Sequence, residues 1–147
     1  MFGTIVAGTD GSETAERAVE QAIALAAAVG ARLLIVSAFE PVAPAPLREE
    51  ARQEPPDAEW MAPRPEVEDT LRAAAEKARA RGVPVETFAR QGDPADAILD
   101  VAEEQGADLI VVGNKGRTGA KRFLLGSVPN KVSHHAPCSV LIIRTPG

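Results

Sequence analysis

The stretch that decides the fold is LIVVGNKGRTGAKRFLLGS, residues 109–127. A continuous apolar run predicts a buried strand, a glycine-rich loop follows, and we expect a helix to begin near Ser127. Glycine permits positive φ angles and lets backbone N–H groups approach an anion without a Cβ in the way. The helix that follows adds its own unpaired amides at the positive end of its dipole. The stretch therefore predicts an anion-binding loop, in which Ser127 is either helix cap or phosphate ligand.

The charges of this loop agree with that interpretation. The loop contains four cations and no anions in a chain whose net charge is −5: Lys115, Arg117, Lys121 and Arg122. One helix terminus contributes only about 0.3–1 kcal/mol per charge, whereas micromolar affinity requires about 8 kcal/mol. Loop amides, cations and an apolar group on the ligand must act together, which favours a nucleotide over inorganic phosphate. The alternative is a flexible connection whose basic residues are simply solvated.

The rest of the chain alternates strands with helices. Four short apolar runs are continuous, as in parallel strands covered on both faces, and a fifth alternates. The predicted strands are Thr4–Ala7, Leu33–Val36, Val85–Arg90, Leu109–Val112 and Val140–Ile143. The predicted helices are Glu13–Val29, Glu66–Arg81 and Pro94–Gln105, each closed by glycine, with Asp93 capping the third. This order predicts an α/β fold with an open, doubly wound, Rossmann-like sheet of five parallel strands between helices.

A second polar loop follows the first strand. Thr9, Asp10 and Ser12 place two hydroxyls and a carboxylate just beyond that strand. Ligands of open α/β sheets bind beyond the carboxyl ends of strands where the strand order reverses. Both loops are therefore expected at one shared crevice. Asp10 has the alternative role of capping the first helix.

Composition limits the classes of function. The length of 147 residues fits one domain, residues 1–147, with a loop at about 41–65 that holds seven of the twelve prolines. The acidic net charge and the absence of tyrosine argue against a nucleic-acid partner. Nothing in the sequence predicts a membrane span, and the single Cys138 fits a cytoplasmic protein.

His134, His135 and Cys138 suggest a metal or Cys–His site. Adjacent histidines point about 100° apart on a helix, which does not give a pair of ligands on one face. We expect both histidines near a helix end, where the dipole favours them. Cys138 is expected to start the last strand as a small buried residue.

The glycine loop resembles that of the universal stress protein family, whose mark is Gly, two residues, Gly, nine residues, then Gly and Ser or Thr. Gly113, Gly116, Gly126 and Ser127 have that spacing. The likeness extends to residues 10–12, to the turn at 92–94 and to the closing strand 137–144. The proline-rich segment has no counterpart in it.

The resemblance implies an ATP-binding protein that acts as a stress-response regulator. It implies Thr9, Asp10 and Ala38 near the adenine, and the loop near ribose and phosphates. The loop residues so implied are Gly113, Gly116, Gly126, Ser127 and Val128. Arg117 joins this set because its place in the loop suits phosphate, although the family varies at that position. Such a site is compatible with Mg²⁺ beside ATP, and some similar small members bind cyclic AMP instead. The family's strand order also implies that the last strand, Val140–Arg144, lies at an edge of the sheet. Because a bare apolar edge invites pairing, we expect a homodimer through this strand.

A catalytic role is the main alternative to a binding module. The chain lacks the Gly-x4-Gly-Lys-Ser/Thr loop of P-loop enzymes and the dinucleotide glycine fingerprint. No second carboxylate or histidine is predicted beside Asp10, so we expect at most slow ATP hydrolysis. Three hypotheses stay open: a non-catalytic ATP-binding regulator, a slow hydrolase or phosphotransfer enzyme, and a structural partner that has lost its ligand.

Overall fold

The structure is a computed structural model, and it describes residues 2–39, 65–114 and 127–144. Five parallel strands form one sheet in the order β3-β2-β1-β4-β5. The strands are β1 Thr4–Gly8, β2 Arg32–Phe39, β3 Val85–Gln91, β4 Leu109–Gly113 and β5 Ser139–Ile143. The helices are α1 Glu13–Val29, α2 Pro65–Ala80, α3 Pro94–Gln105 and α4 Ser127–His135. The predicted α/β fold, with its parallel five-stranded sheet, is confirmed.

Alternate residues of the inner strands face opposite sides of the sheet, and each side has its own core. On one side Ile5, Leu33 and Leu109 pack with α2 and with buried small residues of α1 such as Ala18 and Ala22. On the other side Val6, Leu34 and Ile110 pack with α3 and α4. Because both faces are covered, the inner strands are continuous apolar runs, as predicted.

The two edge strands differ from the inner ones. Among the described residues β3 pairs with β2 alone, and it is less buried than the inner strands, as its mixed sequence indicates. β5 pairs with β4 and forms the opposite edge. On β5 the side chain of Leu141 is exposed.

Helix ends follow the predicted signals with one correction. Gly30 and Gly106 adopt the left-handed conformation that ends α1 and α3, and Asp93 caps α3 with Pro94 in its first turn. The cap of α1, however, is Ser12, whose Oγ accepts from Ala15 N at 3.2 Å. The alternative role of Asp10 as the cap is therefore wrong.

The predicted boundaries of the strands and of the first three helices agree with the observed ones to within one residue, except that β2 extends three residues further, to Phe39. Cys138 precedes β5 and is half-buried, so the expectation of a buried first residue of that strand is wrong. Within the described ranges, no helix is both long and apolar enough to cross a bilayer. The proline-rich stretch up to residue 64 lies outside the described residues.

Candidate functional site

A crevice lies at the carboxyl ends of β1 and β4, where the order of the strands reverses. β1 lies between β2 and β4, and its residues Ile5, Val6 and Ala7 pair with β4 residues 109–111. The chain leaves β1 toward β2 on one side and later returns to place β4 on the other side. This reversal separates the loops that follow the two strands and leaves a gap between them.

Five of the nine predicted site residues line this crevice: Thr9, Asp10, Ala38, Gly113 and Val128. Ser127 is the first residue of α4, immediately before Val128. Gly116, Arg117 and Gly126 lie outside the described residues. The structure therefore brings the β1 loop, the end of β2, the end of β4 and the start of α4 to one place.

Backbone N–H groups of the loop after β1 donate the hydrogen bonds that hold it in place. Thr9 N donates to Val36 O at 2.9 Å, which ties the loop to β2. Gly11 N donates to Thr9 Oγ1 at 3.2 Å, and Ser12 N donates to Asp10 Oδ1 at 2.9 Å. Gly11 has a φ of 81°, a conformation that favours glycine. The Thr9 and Asp10 side chains thus shape the turn that leads into α1.

Sequence reasoning missed the apolar part of the crevice. The further lining residues are Gly8, Ala15, Val36, Pro94, Ile98, Val112 and Pro129. Two of them, Pro94 and Ile98, come from α3, which no motif connected with the glycine loop. The Gly92-Asp93-Pro94 turn was the available signal, because it too follows the carboxyl end of a strand.

An ion-pair cluster joins α3 to α4 beside the crevice. Lys131 Nζ lies 2.9 Å from Asp96 Oδ1 and 3.4 Å from Asp93 Oδ2. The hydrogen bond from Asp96 N, assisted by Lys131, holds the pKa of Asp93 below its ordinary value. The Asp96 carboxylate, and to a smaller extent that of Asp93, raises the pKa of Lys131. Both shifts favour the charged forms of Asp93 and Lys131.

The histidines and the cysteine take structural positions. His134 and His135 lie in the last turn of α4, as predicted, and His134 Nδ1 is 2.9 Å from Asn130 O. Burial raises the pKa of the Cys138 thiol, which disfavours the reactive thiolate. Among the described residues, no three His, Cys, Asp or Glu side chains are grouped to hold a metal ion.

The arrangement combines an apolar interior with polar groups at strand and helix ends. Val36, Ile98 and Val112 offer surface to a flat apolar group, while Thr9 and Asp10 offer hydrogen-bonding side chains. The amino end of α4 favours negative charge. A ligand with both a planar ring and an anionic group matches these features.

Comparison with known proteins assigns the family. The model of the universal stress protein family matches residues 1–144. A universal stress protein of Thermus aquaticus is 43% identical over 148 residues, covering 98% of this chain and 100% of the relative. The chain belongs to the universal stress protein family.

Two solved structures of that family are also similar. The crystal structure of a universal stress protein in complex with cAMP is 34% identical, with a TM-score of 0.72, and the match covers 99% of this chain and 98% of that one. The UspA protein of Lactobacillus plantarum is 28% identical, with a TM-score of 0.77 and 97% of each chain covered. These likenesses span the whole fold described above.

Proposed function

We propose that this universal stress protein binds ATP in the crevice between β1 and β4 and acts as a non-catalytic stress-response regulator. One observation carries the proposal: Thr9, Asp10, Ala38, Gly113 and Val128, from four separate elements, line one crevice. The sequence and its resemblance to the family predict the same five residues without reference to the structure. Their convergence at the switch point of the sheet is what a nucleotide site of this fold requires.

The adenine is assigned to the side of the crevice formed by β1 and β2. Thr9 and Asp10 follow β1, and Ala38 lies near the end of β2, next to the apolar surface of Val36. A purine ring buries its faces against aliphatic side chains while its edge hydrogen-bonds to polar groups. This part of the crevice offers both kinds of contact.

The ribose and phosphates are assigned to the glycine loop and the start of α4. Gly113 lies at the end of β4, and Asn114 N donates to Ile143 O at 3.0 Å, which holds this end of the strand against β5. Gly116, Arg117, Gly126, Ser127 and Val128 complete the proposed set. Mg²⁺ would enter with the nucleotide, bound to its phosphate oxygens.

A non-catalytic role follows from the titratable groups near the ligand. Asp10 is the one titratable residue among the described residues that line the crevice, and its Oδ1 already accepts from Ser12 N. A general base needs an oxygen within reach of the attacking water, usually oriented by a further group. A slow ATP-hydrolysing or phosphotransfer enzyme is the catalytic alternative.

Cyclic AMP is the second candidate ligand. The observation that favours it is the similar universal stress protein solved in complex with cAMP, at 34% identity over nearly the whole chain. Both nucleotides carry the same adenine and ribose, so they would share the β1 and β2 side of the crevice. They differ in the number of phosphates that the loop must hold.

We place the chain in the cytoplasm as one domain, residues 1–147, in which the segment at about 41–65 is a loop. It forms a homodimer through the last strand, Val140–Arg144, and takes no nucleic-acid or membrane partner. The exposed edge of β5 supports the dimer.

The test is to identify the nucleotide and measure its affinity. Protein is purified without added nucleotide and denatured, and the released small molecules are identified by mass spectrometry. Released ATP supports the first proposal, ADP with phosphate supports slow hydrolysis, and cAMP supports the second candidate. Calorimetric titration of the emptied protein with ATP, ADP and cAMP then ranks the ligands. No heat and no thermal stabilisation with any of them would refute a nucleotide-binding function.

A further inference from the structure

Two helices from distant parts of the chain form facing walls of the crevice. Pro94 and Ile98 lie on α3, while Val128 and Pro129 lie on α4. The two helices belong to the same side of the sheet and share the core around Val132, which is completely buried. Their relative position therefore determines the width of the crevice at this side.

One cation joins these two walls. Lys131 lies four residues after Ser127 and three after Val128, so it shares a face of α4 with the start of that helix. Its ammonium group contacts Asp96 Oδ1 at 2.9 Å and Asp93 Oδ2 at 3.4 Å, both in the first turn of α3 or at its cap. We infer that Lys131 is a positioning residue, which holds the amino end of α4 at the distance from α3 that the nucleotide requires. This inference rests on the proposed function.

Asp93 has hydrogen bonds within α3 that do not involve Lys131, which separates positioning from folding. Asp93 Oδ2 accepts from Asp96 N at 3.0 Å, and Asp93 O accepts from Ala97 N at 2.9 Å, so the cap of α3 persists without Lys131. Two acidic groups at a helix amino end are also favourable for its dipole. Removing the lysine should therefore leave α3 formed and alter mainly its relation to α4.

Long-range charge offers a competing explanation, and Asp96 distinguishes the two. If Lys131 acted only through its charge, removing it would weaken binding of an anion, and removing a nearby negative charge would strengthen it. If Lys131 acts by joining the helices, loss of either partner weakens binding. The substitution Asp96→Asn thus has opposite expected signs under the two explanations.

The experiment measures the dissociation constants of ATP and cAMP by calorimetry for the full-length protein and four variants. Since the cluster is partly exposed, Lys131→Met and Asp96→Asn should each weaken binding about two- to fivefold, and Lys131→Arg should retain most of the affinity. Lys77→Met is the matched control, because Lys77 makes a comparable ion pair with Glu20, at 3.5 Å, between α1 and α2. It should leave the dissociation constants unchanged. Urea denaturation of each variant shows whether it is folded.

Each outcome decides the inference. Weaker binding in both Lys131→Met and Asp96→Asn, with unchanged affinity in Lys77→Met, supports it. Tighter binding in Asp96→Asn would overturn it in favour of long-range charge, and unchanged affinity in both cluster variants would overturn it outright. If the parent protein binds neither nucleotide, the proposed function fails and this inference fails with it, whereas the other negative results leave nucleotide binding intact.

Discussion

The side chain of Ile98 on α3 occupies the space in which a Cβ on Gly8 of β1 would lie. A Cβ built on Gly8 would be 3.0 Å from Ile98 Cγ1 and closer still to Cδ1. The φ of Gly8 is not positive, so the constraint is the close approach of helix to strand and not the backbone conformation. Both residues line the crevice, and Ile98 is buried, so it has little freedom to move aside.

Gly8→Ala should therefore destabilise the protein by about 1–3 kcal/mol, the usual cost of overpacking. Ile98→Val alone should cost about 0.5–1.5 kcal/mol because it removes one buried methyl group. In the double variant the valine lacks the Cδ1 that meets the new Cβ. The double variant should therefore be more stable than the single variant Gly8→Ala, as measured by urea denaturation.

Gly3→Ala provides the control for the glycine substitution. A Cβ on Gly3 would lie 3.4 Å from Asp108 Oδ2, an ordinary contact, so its effect on the free energy of unfolding should be small. If the effects of Gly8→Ala and Ile98→Val were simply additive, the steric relationship between them would be wrong.

A second prediction concerns the pH dependence of stability at the amino end of β1. Asp108 Oδ2 accepts from Gly3 N at 2.7 Å and from Thr4 N at 3.0 Å. Both bonds lower the pKa of Asp108 in the folded state, and the bond from Gly3 has the larger effect. A lowered folded-state pKa stabilises the protein above the unfolded-state value of about 3.9, and this stabilisation is lost as the pH falls through the folded-state pKa.

Asp108→Asn should accordingly reduce the free energy of unfolding at pH 7, and the difference from the parent protein should shrink as the pH falls below about 4. Urea denaturation at a series of pH values measures this difference in the free energy of unfolding. The control is Glu76→Gln, at an exposed position of α2. A difference that stayed constant down to pH 2 would show that the carboxylate charge is not the cause.

The fold could be predicted from sequence because its signals are local. The inner strands are uninterrupted apolar runs, and Gly30, Gly106 and Asp93 mark helix ends through their own backbone preferences. The position of β5 at an edge could not be derived from its residues, which resemble those of an inner strand. The resemblance to the family predicts the edge position, and the observed strand order confirms that prediction.

The candidate site was predicted only in part, because some of its contacts depend on packing between distant segments. Gly8 and Ile98 are 90 positions apart, and nothing in either local sequence indicates that they touch. The cap of α1 shows a different limit. Asp10 and Ser12 both carry suitable acceptors, and the choice between them depends on the conformation of the turn. In the structure Gly11 has a positive φ, Ser12 caps the helix and Asp10 accepts from Ser12 N.

A third prediction addresses assembly through β5. Leu141 is 39% exposed and is the large hydrophobic side chain most open to solvent among the described residues. It lies on β5, an edge strand of the sheet that the described residues form, and an edge strand can pair with a strand of a second copy. We expect the parent protein to sediment as a dimer at micromolar concentration and Leu141→Glu to sediment as a monomer, since the charge would be desolvated in the interface.

The opposite edge supplies the control for that experiment. Thr87 is exposed on β3, so Thr87→Glu adds the same charge to the other edge strand and should leave the dimer intact. A monomeric parent protein, or a Leu141→Glu variant that remains dimeric, would refute assembly through β5.

The last prediction tests the glycine loop itself. The resemblance to the family motif implies that the backbone at Gly126 would approach the phosphates of a bound nucleotide, so a side chain there should exclude them. Gly119 is in the same loop but outside the motif spacing, so Gly119→Val is the matched control. At a nucleotide concentration 100 times the dissociation constant, linkage stabilises the parent protein by about 2.7 kcal/mol, which raises Tm by about 5–10 °C for a chain of this size. Gly126→Val should abolish that rise while its circular dichroism stays native, and Gly119→Val should retain most of it. An undiminished rise in Gly126→Val would remove the loop from the nucleotide site.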